Sequence, residues 1–265
     1  MKKQPAINDL LKVMAKLRSP TGCPWDREQS HLTLRRHAIE EVYELIDAIE
    51  ARDDVEMAEE LGDLLLQVVF HCQLARERGA FDFEKVTRHL VDKLIRRHPH
   101  VFGTDSVEDA AAQTVAWETQ KAAERATQGH ESVLDGLTTT LPAATRAFKL
   151  QARAARVGFD WPNAEQVLAK VEEELAEVRE ELTHAQPDQD RIDDEVGDLL
   201  FVAVNVARKA GIEPETALRR ANAKFERRFR RVEALLAEQG RGPADSTLDE
   251  MEGLWNQAKR EERTP

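Results

Sequence analysis

Five carboxylates between residues 173 and 198 have the types and the spacing to hold a divalent cation. Glu173, Glu174 and Glu177 fall on one segment, Glu195 and Asp198 on a second, and a polar turn around Pro187 joins the two. On a helix, positions i and i+3 share a face. Glu174 with Glu177, and Glu195 with Asp198, therefore each present a pair of carboxylates in one direction. Two such helices side by side would gather four carboxylates beside an apolar seam of Val171, Leu175, Val196, Leu199, Leu200 and Val202. Unpaired carboxylates repel at that distance, and a cluster of hard oxygen donors suits Mg²⁺.

The same arrangement occurs earlier in the chain. Glu40, Glu41 and Glu44 match Glu173, Glu174 and Glu177, and Glu60-Leu61-Gly62-Asp63 matches Glu195-Val196-Gly197-Asp198. Lys93 and Arg97 repeat as Lys224 and Arg228, and Trp117 with Lys121 repeats as Trp255 with Lys259. The offsets are 133, 135, 131 and 138 residues, so order and spacing are both kept and the chain is an internal duplication. Glutamate-rich helix faces are ordinarily just solvated. Two copies of the same acids beside apolar positions argue against that plain reading. Gly62 and Gly197 add to it, because a mid-helix glycine costs about 1 kcal/mol against alanine and suggests the close approach of another group.

The elements that position these residues read as helices throughout. Apolar spacing predicts a first helix over 7–17, then a loop over 18–30 whose Trp25 reads as a buried anchor. Helices follow over 34–51, 55–78 and 82–97, the last capped by Asp82 and ended by Pro99. Apolar positions 57, 61, 64, 65, 68, 69, 72 and 75 make a stripe wide enough for a bundle core. His98-Pro99-His100 reads as a terminating turn rather than a metal pair. A capping box at 106–109 predicts a helix through 125, and the polar stretch 126–135 is the linker. In the second half helices are expected over 142–156, 164–183, 191–210 and 214–238, with a capping box at 247–250 starting a last one. No stretch shows convincing strand alternation. The expected fold is all-α: two duplicated helical-bundle modules over 1–125 and 136–265. Short turns make the acidic helices of each module antiparallel.

With 265 residues, 41% hydrophobic, 33% charged and only 5% aromatic, the chain suits amphipathic helices. A net charge of −12 argues against a duplex-binding surface, and no nucleic-acid partner is expected. Cys23 and Cys72 lack paired spacing and suit a reducing compartment. The N-terminus has no apolar signal core, and no run approaches the ~18 residues of a membrane span, so a cytoplasmic protein is expected.

The basic positions have a plain reading and a functional one. On a helix rich in Arg, Glu226 and Glu233 could pair with the cations and leave a solvated face. Yet Lys224 and Arg228 are an i, i+4 pair repeated at Lys93 and Arg97, which suits phosphate contact. Trp255, four residues before Lys259, is either a core residue or a surface on which a base stacks. A di-iron carboxylate bundle would use Glu-x-x-His pairs. Glu28 to His31 and Glu181 to His184 have that spacing, but neither recurs in the other half.

On these residues the chain resembles the MazG-type nucleoside triphosphate pyrophosphohydrolases, an all-α superfamily. Glu-Glu-x-x-Glu followed by Glu-x-x-Asp carries the likeness, with Cys23-Pro24-Trp25-Asp26, Gly158-Phe159-Asp160-Trp161 and Lys224-Phe225-Glu226-Arg227-Arg228. The resemblance implies Mg²⁺-dependent hydrolysis of nucleoside triphosphates to monophosphate and pyrophosphate by a homodimer. It makes Glu174, Glu177, Glu195 and Asp198 the metal ligands, with Glu41, Glu44, Glu60 and Asp63 as counterparts. Lys224 and Arg228 would then steady phosphates, and Glu173, rotated ~100° from Glu174, is a candidate base. The second half also has Lys170 before Glu174 and Arg191 before Glu195, where the first has His37 and Glu56. Those two added cations favour a triphosphate, so the C-terminal module is expected to carry most of the turnover. The rival is a non-catalytic helical scaffold that binds nucleotide or regulates.

Overall fold

The computed structural model describes residues 7–127 and 131–262. Residues 128–130 of the expected linker, the first six residues and the last three lie outside the described residues. All regular structure described is helical, so the all-α expectation holds. The chain divides into two compact units, Met1–Gln120 and Lys121–Pro265.

In the first unit α1 (Ile7–Leu17), α2 (Pro24–Glu28), α3 (His31–Ala51), α4 (Asp54–Glu77), α5 (Phe83–Arg97) and α6 (Pro99–Phe102) follow in order, and α7 (Ala110–Thr127) begins there. Ser30 and Thr33 make a reciprocal capping box, Thr33 N donating to Ser30 Oγ and Ser30 N to Thr33 Oγ1, which starts α3. Arg52, in the left-handed region at φ 58°, ends it. Asp53 then accepts from the N–H groups of Val55 and Glu56 and starts α4. With so short a turn, α3 and α4 can only run antiparallel. Met14, Leu34, Val69, Phe70 and Leu74 form the core where α1 packs on this hairpin. Arg18 binds the Glu77 carboxylate through two nitrogens at 2.8 and 2.6 Å and also donates to the carbonyls of Asp26 and Gln29. One side chain thus ties the 18–30 segment to α4.

In the second unit come α8 (Ala143–Ala155), α9 (Ala164–Thr183), α10 (Gln189–Lys209), α11 (Pro214–Ala237), a single 3₁₀ turn (Pro243–Asp245) and α12 (Leu248–Glu261). Asn163 caps α9 and Asp188 caps α10. Gly211, at φ +70°, ends α10 in a conformation that a side chain would strain. The segment holding Asp160 is clamped to the end of α10. Asp160 accepts from Arg208 and Lys209, Lys209 also donates to the Trp161 carbonyl, and buried Asn205 accepts from Arg208 at 2.7 and 3.0 Å.

Several expectations are corrected. Trp25 is no buried anchor: it is 52% exposed, with its ring edge-to-face against His37 at 6.1 Å. The loops at 18–30 and after Pro99 each contain a short helix, α2 and α6. Asp109, whose carboxylate accepts from Ala112 N, caps α7, so that helix starts later than a box at 106–109 implies. The α4 stripe divides, Val69, Cys72 and Ala75 facing inward while Leu61, Leu65 and Val68 stay exposed. The seam of the second hairpin divides likewise: Val202 is buried, Val196 and Leu200 are not. Among the described residues no other element comes within 4 Å of a Cβ built on Gly62 or Gly197, so neither glycine makes room for a neighbouring element of the chain.

Candidate metal and nucleotide site

Each hairpin gathers carboxylates as the spacing requires. In the second unit, ligand atoms of Glu174 from α9 and of Glu195 and Asp198 from α10 all lie within 4.8 Å of one another. In the first, Glu41 from α3 and Glu60 and Asp63 from α4 do the same. Glu174 is only 4% exposed, and the Glu60 Oε2 atom is buried with no hydrogen-bond partner. A buried carboxylate oxygen without a donor, facing two further carboxylates, fits a hard cation. The residues present could therefore hold a metal ion in either unit.

The electrostatics of the two clusters differ. Burial first, then a hydrogen bond with Glu174 and its charge, raise the Glu177 carboxyl above its usual range. The Glu41 carboxyl is raised by burial and by Asp63 and Glu44, that of Glu60 by burial and by Glu44 and Glu56. In the second unit Lys170 Nζ lies 2.8 Å from Glu174 and 2.9 Å from Glu173. Those two bonds raise the Lys170 ammonium well above its ordinary value, so it stays charged. In the first unit His37, which replaces it, turns to Glu40 at 2.9 Å, and Glu41 accepts only a long bond of 3.4 Å from Gln67.

Other predicted residues are placed elsewhere. Arg191 pairs at 2.8 Å with Glu181, a buried carboxylate one turn beyond Glu177. In sequence Glu181 stands out only as half of a Glu-x-x-His pair with His184, although it also shares the face of Glu174 and Glu177 at seven- and four-residue spacing. Arg228 donates to Glu262 at 2.8 Å and lies over the Trp255 ring, 5.7 Å from its centroid. Phe225 packs on that ring at 5.2 Å. Arg228, Trp255 and Phe225 thus form one aromatic-cationic cluster across α11 and α12, with Lys224 and Lys259 exposed on the same helices. Much of the remaining basic face of α11 is neutralised, Arg230 by Glu226 and Arg231 by Glu238 and Glu261.

The model of the MazG nucleotide pyrophosphohydrolase domain matches residues 29–102 and again 163–232, one match over each acidic hairpin. The chain is 47% identical over 257 residues to a nucleoside triphosphate pyrophosphohydrolase of Escherichia coli (strain K12), covering 97% of this chain and 98% of that one. It is 45% identical over 253 residues to the nucleoside triphosphate pyrophosphohydrolase/pyrophosphatase MazG of Thermotoga maritima, covering 96% and 95%. A nucleoside triphosphate pyrophosphohydrolase of Mycobacterium tuberculosis is 42% identical over 154 residues, or 57% of this chain and 45% of that one. With both hairpins matched and nearly the whole length aligned, the chain belongs to the MazG nucleotide pyrophosphohydrolase family.

Proposed function

We propose that this protein hydrolyses nucleoside triphosphates between the α and β phosphorus atoms, using Mg²⁺ and releasing monophosphate and pyrophosphate. The observation that carries the reading is the Glu174, Glu195 and Asp198 triad, with Lys170 seated on its buried member. Glu177 completes the set that would hold the ion, and Glu41, Glu44, Glu60 and Asp63 are the counterparts in the first unit. When bound, Mg²⁺ supplies charge neutralisation for the phosphates. The remaining work falls to the chain's own groups. Lys170, at the triad, binds and orients phosphate oxygens; Arg191 and Arg228, held in the free chain by Glu181 and Glu262, join it by leaving those carboxylates, with Lys224 beside Arg228, and Lys259 stands one turn from the Trp255 ring on which a base can stack. Glu173, beside the triad, takes a proton from the water that attacks phosphorus, and the bond to the pyrophosphate oxygen breaks.

The unequal clusters support a C-terminal unit that carries most of the turnover and an N-terminal unit that is weaker. Exposed apolar stripes on both hairpins support a homodimer. Among the described residues no helix is long and apolar enough to cross a membrane, and a cytoplasmic site of action accords with the two free cysteines. The test is the first product formed from mixed nucleoside triphosphates with Mg²⁺. Pyrophosphate is expected, and EDTA should abolish it. Orthophosphate as the first product would exclude this reaction, and no product at all would favour the non-catalytic scaffold.

A further inference from the structure

The first unit holds a cavity that neither acid cluster uses. Helix α6, the residues after it and the first half of α7 flank the end of α5 and line a hollow of about 240 Å³ that is open to solvent on one side. Its lining includes Arg97, His100, Ser106, Val107, Gln113 and Trp117. The indole is fixed in place: Trp117 Nε1 donates to the Arg97 carbonyl at 2.8 Å, and His98 packs against the ring at 5.2 Å. One turn on, Gln120 donates to the Arg96 carbonyl at 3.1 Å, which holds α7 against α5. With its only polar atom engaged, Trp117 offers the cavity an apolar ring.

Two further lining atoms point to what belongs there. His100 Nδ1 and Gln113 Oε1 are buried atoms with no hydrogen-bond partner among the described residues. Buried polar groups are nearly always paired, and an unpaired one is costly, so a ligand that supplies the missing partners gains on binding. An amide oxygen needs an N–H donor, and an imidazole nitrogen pairs with either a donor or an acceptor. A rigid ring beside those two atoms suits a flat heterocycle that carries N–H and ring-nitrogen or carbonyl groups on one edge. At this volume the cavity is smaller than the roughly 300–1,000 Å³ typical of whole-ligand sites, so it takes a ring and leaves any sugar and phosphate outside.

We propose that the α5–α6–α7 cavity of the N-terminal unit binds a nucleobase, with Gln113 Oε1 and His100 Nδ1 reading its edge against Trp117. The site would give the N-terminal unit a place for a nucleotide's base, whether or not that unit hydrolyses the nucleotide. The site stands independently of the hydrolytic reading, and it is tested in EDTA so that no turnover intervenes.

The experiment follows the indole N–H signals of the full chain, whose four tryptophans are separable by nuclear magnetic resonance, the Trp117 signal being assigned with Trp117→Phe. Adenosine, guanosine, cytidine and uridine monophosphates are added in turn. At least one should shift the Trp117 signal saturably. The same nucleotide should bind roughly 5–30-fold more weakly to Gln113→Leu, the loss expected from one buried hydrogen bond. Trp255→Ala should leave the Trp117 response unchanged. Free base against whole nucleotide tells whether the sugar-phosphate contributes, and both arms support the proposal if the ring is required. A Trp117 signal unmoved in wild-type protein at about 10 mM of all four, where even millimolar affinity would saturate, overturns it. So does an equal response to ribose 5-phosphate, or a response that Gln113→Leu leaves intact and Trp255→Ala removes.

Discussion

Lys170 separates the two acid clusters more sharply than any carboxylate does. Its ammonium sits 2.8 Å from buried Glu174 and compensates that charge at every physiological pH. In the first unit Glu41 accepts a hydrogen bond from the Gln67 amide, and His37, which could stand in for the ammonium, pairs with Glu40. A triphosphate brings several negative charges, so the cluster that keeps a cation after the metal is bound is the better receiver. Glu177→Ala should therefore lower turnover by about 10²–10³-fold, the scale of losing one well-placed electrostatic contact. Glu44→Ala should leave most of it. Steady-state rates of the two variants decide this, and the reverse pattern would assign catalysis to the N-terminal unit. The acids themselves were legible in sequence, because helical period alone fixes which residues share a face. The partners of the long cations were not. Arg191 stands four residues before Glu195, yet it reaches across to Glu181, a choice set by the neighbouring helix rather than by spacing along its own. Trp25 misled in the same way, since a large aromatic in a Pro- and Gly-rich loop reads as an anchor wherever it comes to lie.

At the scale of elements, the acidic helices are held by devices at their ends. The capping of α3, α4, α9, α10 and α12 by Ser30, Asp53, Asn163, Asp188 and Thr247 sets where each begins. Polar residues ahead of apolar periodicity announce most of these starts in the sequence. The clamp of Asp160 on Arg208 and Lys209 is of another kind, since it joins residues 48 and 49 positions apart and no local pattern foretells it. Burial pushes the Asp160 carboxyl up, but hydrogen bonds from Arg208 and Lys209 outweigh burial and hold it below its ordinary value. In the first unit the Arg18 hydrogen bonds likewise lower the Glu77 carboxyl, against the opposing effect of its burial. A carboxyl with a depressed folded pKa stabilises the fold above its unfolded pKa of about 4. That contribution is lost as pH falls through the folded value. Both clamps should therefore weaken on acidification from about pH 4 downward, in the same direction. Asp160→Asn should cost about 1.5–3 kcal/mol at neutral pH, as for hydrogen bonds to a charged group, and should flatten the acid limb of the stability curve. Urea unfolding at pH 7 and pH 3 reads both effects. A variant as stable as wild type at pH 7, with an unchanged acid limb, would show that the clamp contributes nothing.

For the whole molecule, the apolar residues left outside each hairpin call for a partner. On α9, Leu168, Leu175 and Leu182 repeat every seven residues and are all exposed, Leu175 by 45%, while Leu200 on α10 is 63% exposed. The first hairpin repeats the spacing with Val42 and Ile49 on α3 and Leu61 and Val68 on α4, and Leu65 between the latter two is exposed as well. A seven-residue apolar repeat is the spacing at which one helix seats against another, and soluble monomers rarely leave such stripes in water. Gly62 follows Leu61 directly and Gly197 stands three residues before Leu200, each with open space where a side chain would be. A backbone from a second copy could approach closely there, which gives the two glycines the neighbour that the single chain lacks. Composition could not reveal this, because the same apolar positions serve equally for burial within one chain or between two. We therefore expect sedimentation equilibrium at micromolar concentration to return twice the 30.0 kDa of one chain. Leu65→Glu with Leu200→Glu, which charges one exposed position on each hairpin, should shift that equilibrium toward the single chain by at least ten-fold, since each glutamate would be buried unpaired in the dimer. Because both positions are exposed in the chain itself, helix content by circular dichroism should be kept. A wild-type monomer at that concentration would mean that the stripes face something other than a second copy.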